Sequence, residues 1–275
     1  MSPNNTNLTA LSEKHERLKG IIKEAGKAAV AFSGGVDSTF LLKTAHEVLG
    51  ENVLAVYAEN SLQPPDEAEN VRILVKDEIG CRLVVVNVDP LLLLPEYAEN
   101  PPDRCYICKK KIYSEFLATI RRYGILQLMD GTNLDDLSED RPGLFAIREL
   151  GVQTPLAEAG LTKREIRQLS RSQGISTWNR PSSSCLATRI PQGVLITRDK
   201  LSLVARLEGH MHSLGFYGCR VRLGRDGIVL EVVEDDVVLL CNTALRSEVN
   251  RFCSEEGFGK VLLDLSGRKN DLIGV

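Results

Sequence analysis

The sequence predicts an α/β protein: a parallel sheet with helices on both faces, followed by a small C-terminal α+β domain. Three observations predict it. Short, continuously apolar runs alternate with helix-patterned segments through the first two-thirds of the chain, the pattern of strands buried on both faces. After about residue 193 the order changes to helix, strand, strand, helix, strand. The length, 275 residues, suggests about two domains at roughly 150 residues each.

Residues 1–26 read as a polar tail running into a helix. Residues 28–32 read as a buried strand, 36–49 as a helix stopped by Gly50, and 53–58 as a second strand. A helix over 66–79 ends at Gly80, and 83–88 is a third strand. A helix over 109–123 ends at Gly124, and 126–130 is a fourth strand. Thr162 and Glu165 form a capping box for a helix over 162–173. Thr197 caps a helix over 197–214. Strands at 219–223 and 228–233 flank Arg225-Asp226-Gly227, a hairpin signal. A helix over 243–256 and a strand over 260–265 complete the chain. Two segments interrupt the alternation: 90–104, with four prolines, and 179–192, with two prolines and three consecutive serines. Long irregular connections in a compact domain are commonly functional. The expected division is 1–26, 27–192 and 193–275.

Composition excludes several classes. Hydrophobic residues make up 43% and charged residues 26%, so disorder is not the main state. The 34 basic residues against 37 acidic ones leave a net charge of −3, which argues against a broad nucleic-acid-binding face. No run approaches the roughly 18 apolar residues of a membrane span, and the N-terminus has no secretory pattern. The expected compartment is the cytoplasm. Seven cysteines are then expected to be reduced, so a cluster of them points to metal or catalysis rather than disulfides.

Ser33-Gly34-Gly35-Val36-Asp37-Ser38-Thr39 follows a buried strand directly and opens a helix. Free N–H groups and the helix dipole attract phosphate there. Gly34 and Gly35 allow close approach, and Ser33, Ser38 and Thr39 add hydroxyls. Asp37 is at odds with an anion site and calls for a bound cation or a local N–H partner. The lysine of a Walker A loop is missing. Asp130-Gly131-Thr132-Asn133, after the fourth strand, is a second candidate nucleotide-contacting turn.

Cys105 and Cys108 form a CxxC just ahead of the 109–123 helix. That spacing suits a redox pair, half a zinc site or two iron–sulfur ligands. Cys185 stands in a polar loop with Thr188 and Arg189, and Arg189 is expected to favour its thiolate. The other four cysteines, 81, 219, 241 and 253, fall in strand or helix patterns. Arg220 and Arg222 alternate on one strand and so share a face, where two guanidinium groups suit a phosphate.

The stretch Ser33 to Thr39 resembles the PP-loop of the N-type ATP pyrophosphatases. Further stretches resemble one subfamily, the ATP-dependent sulfur insertases of the LarE type, which act in nickel-pincer nucleotide biosynthesis for lactate racemase. They are Asp130-Gly131, Arg141-Pro142-Gly143-Leu144, Thr177-Trp178-Asn179, Ser184-Cys185 with Arg189 and Pro191, Ser213-Leu214-Gly215-Phe216, Arg220-Val221-Arg222 and Leu263-Asp264-Leu265. The resemblance implies ATP and Mg²⁺ at Ser33, Gly34, Gly35, Asp37, Ser38, Thr39 and Gly131. It implies a pyridinium-3,5-biscarboxylic acid mononucleotide substrate near Thr188, Arg189, Arg220, Arg222, Glu208 and Glu231. A carboxylate would be adenylylated and then attacked by sulfur. The best-known form of the family surrenders the sulfur of one loop cysteine, matched here by Cys185. This chain departs from that form by its CxxC and looks more like a three-cysteine branch and the cluster-dependent tRNA thiolases of the same superfamily, which implies a [4Fe–4S] cluster on Cys105, Cys108 and Cys185, with the sulfide donor unidentified. A homo-oligomer, with a hexamer as precedent, is implied too. A cluster-dependent tRNA thiolase is the first rival and would need a basic surface. An amide-forming ligase would leave the CxxC without purpose. A non-enzymatic nucleotide-binding module is the third reading.

Overall fold

The computed structural model describes residues 3–138 and 142–268; Arg141, named in one of the stretches above, lies outside the described residues. The first sheet has four parallel strands. They are β1 (Ala28–Ala31), β2 (Val53–Glu59), β3 (Arg82–Asn87) and β4 (Gln127–Asp130), ordered β3-β2-β1-β4. β1 is central and made only of small residues, all buried. Its alternation feeds both faces: Ala28 and Val30 join one apolar cluster, Ala29 and Ala31 the other. A fully covered strand needs no polar face, which is why its sequence reads as unbroken apolar residues.

On the first face lie α1 (Pro3–Ala25) and α2 (Val36–Leu49), with Leu18, Ile22, Phe40, Leu41 and Leu42 fully buried. Helix α3 (Glu67–Ile73) continues as a π-helical turn, Leu74–Ile79, to Gly80. The predicted single helix is therefore wider in its second half than its sequence suggests. Helices α4 (Pro90–Leu93) and α5 (Pro95–Ala98) lie inside the segment expected to be irregular, each with proline in its first turn, where the missing N–H costs nothing. On the second face α6 (Arg104–Arg121) buries Tyr113, Phe116 and Ile120, spaced for one helical face. Helix α7 (Pro142–Glu149) joins that cluster through Leu144 and Ile147. The sequence pattern does not indicate α7, nor α8 (Pro155–Glu158), because neither is long enough to show a period. Helix α9 (Lys163–Ser172) begins at the predicted capping box, with both reciprocal bonds formed.

The chain runs outward from β1 to β2 and β3, then returns to β4 on the other side of β1. That reversal makes the carboxyl ends of β1 and β4 a topological switch point, where open parallel sheets bind ligands. The C-terminal part contains α10 (Arg198–Ser213), β5 (Arg220–Leu223), β6 (Ile228–Glu231), α11 (Thr243–Glu255) and β7 (Val261–Leu263). β5 and β6 are antiparallel; β6 and β7 are parallel. Its own core includes Leu207, Met211, Phe216, Val221 and Leu230. A fourth cluster joins Leu62 and Tyr97 to Leu186, Ala187 and Ile190, and these to Leu201 and Val204 of α10. The loop that carries Cys185 is thus packed on both sides. No helix among the described residues is long and apolar enough to cross a membrane.

Candidate active site

The turn after β1 is pre-formed. Gly34 has φ +74°, which favours glycine. Ser33 Oγ and Ser38 Oγ are 3.0 Å apart, Ser38 Oγ donates to Gly35 O at 3.1 Å, and Thr39 Oγ1 donates to the same carbonyl at 2.9 Å. Gly35 caps α2 with no side-chain oxygen, so the first helical N–H groups are not taken up by a cap and can face an anion. Gly131 closes the turn from the β4 side. A Cβ there would lie 3.0 Å from the backbone N of Ser38 and 3.3 Å from the carbonyl carbon of Asp37. Only glycine lets the two strand ends meet this closely.

Asp37 finds its counter-charge in a residue that the sequence does not single out, Lys163 at the start of α9. Burial raises the Asp37 pKa, and Lys163 opposes that rise. Its Oδ1 is buried without a hydrogen-bond partner. Asp130 at the end of β4 is buried and accepts from Thr132 N at 2.8 Å, from Thr132 Oγ1 and from Tyr113 OH. Burial alone would raise its pKa; Lys109 at 3.7 Å and these bonds hold it below the ordinary range. Neither lysine carries a local sequence signal, because each meets its carboxylate only after folding.

Cys105 and Cys108 lie within the first two turns of α6 rather than ahead of the helix. Pro101 and Pro102 end the preceding segment and the helix begins at Arg104; the i, i+3 spacing then puts both thiols on one face. Cys185 comes to the same place. Burial above all pushes the Cys108 pKa upward, with Cys185 and Cys105 adding to it, and burial likewise raises that of Tyr97, with the three thiols adding. Cys108 and Cys185 pack against the fourth cluster, while Cys105 is exposed. Asn100, fully buried with φ +59°, fixes this meeting. Its amide donates to the carbonyls of Ile190 (3.2 Å), Pro191 (2.7 Å) and Val194 (3.2 Å), and Arg104 donates to its oxygen. Among the described residues, no three His, Cys, Asp or Glu side chains come close enough to hold a single metal ion. Three thiols are the donor type that iron–sulfur clusters take.

The expectation that Arg189 makes Cys185 a thiolate is reversed. Burial raises the Cys185 pKa, Cys105 raises it further, and Arg104 and Arg189 only offset this. Arg189 is spent elsewhere. It is 4% exposed and donates to Ser184 O (2.9 Å), Ser184 Oγ (2.7 Å), Cys185 O (3.2 Å) and Thr188 Oγ1 (2.8 Å). Its other nitrogens meet Glu208 at 2.7 and 3.1 Å. Glu208 also accepts from Val221 N at 2.9 Å. The two charges thus face each other and brace the cysteine loop.

Arg220 and Arg222 do share a face of β5, and both reach that loop. Arg220 donates to Ser182 O at 3.4 Å; Arg222 donates to Thr188 O at 2.7 Å and pairs with Glu231. Burial, with Arg268, Arg189 and Arg222 close by, lowers the Arg220 pKa to about 10. A guanidinium crowded by its own kind favours an anion. Of the remaining cysteines, Cys219 and Cys253 are buried, Cys81 is half-buried and Cys241 is exposed.

A glycine-rich turn opening a helix at the switch point of a parallel sheet, closed by a second glycine turn, defines a PP-loop nucleotide enzyme. No protein-family model matches the chain. It is 34% identical over 257 residues to an uncharacterised protein of Synechocystis sp., covering 94% of this chain and 95% of the other. It is 34% identical over 273 residues to the pyridinium-3,5-bisthiocarboxylic acid mononucleotide synthase of Lactiplantibacillus plantarum, covering 97% of each. A glutamine-hydrolysing GMP synthase of Methanopyrus kandleri matches through one of its subunits, at 26% identity over 172 residues, 58% of this chain and 54% of the other. The chain belongs to the family of the bisthiocarboxylic acid mononucleotide synthase, the LarE-type sulfur insertases.

Proposed function

We propose that this enzyme uses ATP to convert the carboxylates of pyridinium-3,5-biscarboxylic acid mononucleotide to thiocarboxylates. The carrying observation is that Cys108 and Cys185 pack on one cluster, with Cys105 on the same helix as Cys108, and that Arg220 and Arg222 reach the Cys185 loop, in a chain whose sheet also ends in an ATP-type turn. A substrate carboxylate attacks the α-phosphorus of ATP, the α–β bond breaks, and pyrophosphate leaves with the electron pair. The N–H groups at the start of α2 and the Ser33 hydroxyl receive that leaving charge, while the hydroxyls of Ser38 and Thr39 hold the turn in shape through Gly35 O. Asp37, through its unpartnered Oδ1, suits a Mg²⁺ that would neutralise it further. Gly131 keeps the second turn close enough for the two loops to enclose the nucleotide.

A sulfur nucleophile then adds to the acyl carbon, the C–O bond to the phosphate breaks, and AMP departs. Arg220 and Arg222, with Thr188, suit the substrate phosphate; Glu231 steadies Arg222. Cys105, Cys108 and Cys185 would hold a [4Fe–4S] cluster, which when bound supplies an iron with an open position for sulfide. Residues 193–275 then serve as the substrate and assembly unit, in a homo-oligomer.

The test is anaerobic reconstitution with iron and sulfide, then incubation with ATP, Mg²⁺ and the biscarboxylate. The expected outcome is a brown protein, AMP and pyrophosphate, and a product carrying sulfur in place of oxygen. Fewer than about two irons per chain would reject the cluster. Loss of one H₂S from Cys185 after a single transfer would make the cysteine itself the donor. Tight tRNA binding that falls steeply with salt would favour a thiolase instead.

A further inference from the structure

The PP-loop carries a contact that its phosphate-binding role does not explain: a carboxylate stands directly on it. A Cβ on Gly34 would lie 3.2 Å from Glu67 Oε1. Glu67 belongs to the first turn of α3, and 14% of its side chain is exposed. An acidic group so placed opposes any polyphosphate in the turn. What neutralises it is Arg180, whose guanidinium bonds Glu67 Oε2 at 2.6 Å and Gly34 O at 3.1 Å.

Arg180 comes from the irregular segment that also carries Cys185, five residues further on. Its backbone is pinned: Arg167, 1% exposed, donates to Trp178 O at 2.8 Å and to Arg180 O at 2.9 Å. The main chain is therefore fixed while the side chain ends on the phosphate turn. About a third of that side chain is exposed, leaving donors free to turn.

Resting on the reading that the turn takes the pyrophosphate half of ATP, we propose that Arg180 is a further phosphate-binding residue of this enzyme. Glu67 holds it over the turn and yields it to the β- and γ-phosphate oxygens. Planar guanidinium geometry suits both partners, because carboxylate and phosphate accept the same paired donors. The segment bearing the sulfur chemistry then also contributes a ligand to the leaving group.

The test uses the full-length chain and two probes, inorganic pyrophosphate and AMP, with binding measured by calorimetry. R180A is expected to weaken pyrophosphate about tenfold or more, the scale of one lost charged hydrogen bond, and to leave AMP unchanged. R180K is expected to recover part of the loss. E67Q gives a test of sign: removing the competing charge strengthens pyrophosphate binding, whereas a merely structural Glu67–Arg180 link predicts that E67Q weakens both probes. Unchanged pyrophosphate binding in R180A, equal losses for both probes, or weaker pyrophosphate binding in E67Q would overturn the role of Arg180. Should R180A fail to fold, R180Q decides: weaker pyrophosphate binding with AMP unchanged supports the role of Arg180, and unchanged pyrophosphate binding or equal losses for both probes overturn it. A wild-type chain that binds neither probe would remove the ATP reading itself, a different result from wild-type binding that R180A leaves intact.

Discussion

The two halves of the active site are built in opposite ways. The PP-loop is local: its hydroxyl bonds run between residues no more than five apart, from Ser33 to Thr39. The thiol site is assembled from a distance. Asn100 reaches residues 90 to 94 positions away, and the Arg189 loop is held by Glu208 on α10 and by Arg222 on β5. The local turn is shaped by its own strand and helix, and Gly131, Lys163 and Arg180 reach it only once it is formed. A distant site depends on every tether that closes it, so its function is lost more easily and in more places.

The largest effect expected from this contrast separates the halves outright. C185S should abolish thiocarboxylate formation while ATP-dependent AMP release from the biscarboxylate persists, read by mass spectrometry of product and nucleotide together. Loss of both activities would mean that the cysteine loop is part of the ATP site and that the two halves are one.

Next in size is the tether at Glu208. Truncating it leaves Arg189 buried without its partner, which costs about 3–5 kcal/mol in comparable cases, so E208A should lower the urea midpoint strongly. E208Q keeps the shape and part of the hydrogen bonding and should lose less. If E208A is as stable as wild type, the loop is held by packing alone.

This contrast also explains what the sequence could reveal. The strands, the capping box at Thr162 and the PP-loop are contiguous patterns, legible because local periodicity and turn chemistry determine them. The triad of cysteines is legible only as an expectation of meeting. Nothing in the sequence signals that Asn100 brings it together, because its role depends on a left-handed backbone and three distant carbonyls. Lys163 and Arg180 are invisible for the same reason: they meet the PP-loop across 126 and 146 residues of chain. Arg189 misleads because proximity in sequence suggests thiolate stabilisation, while burial, which sequence does not report, pushes the Cys185 pKa the other way.

A smaller effect is expected at Asn100. N100A removes three donor contacts to buried or half-buried carbonyls and an acceptor for Arg104. At roughly 0.5–1.5 kcal/mol net per bond, and with the left-handed conformation less suited to alanine, stability should fall by a few kcal/mol. N100G keeps the backbone freedom and isolates the lost amide. In both variants the iron bound after reconstitution should drop more than the pyrophosphate affinity. Equal losses would show that the tether serves the whole domain rather than the thiol site.

The smallest effect probes the local half through pH. The Asp130 carboxyl has its pKa depressed in the fold, so the folded protein binds its proton less readily than the unfolded chain does. Its stabilisation is therefore fully present above the unfolded value, 3.8, and is lost as pH falls through the lower folded value. D130N cannot ionise and forgoes the attraction of Lys109 at every pH. The stability gap between wild type and D130N, measured by urea unfolding, should be constant near neutrality and narrow below about pH 3.8. A gap that stays level into acid would mean that Asp130 acts through its hydrogen bonds to Tyr113 and Thr132 rather than through its charge. The second turn would then be held by geometry, as the first is at Gly34.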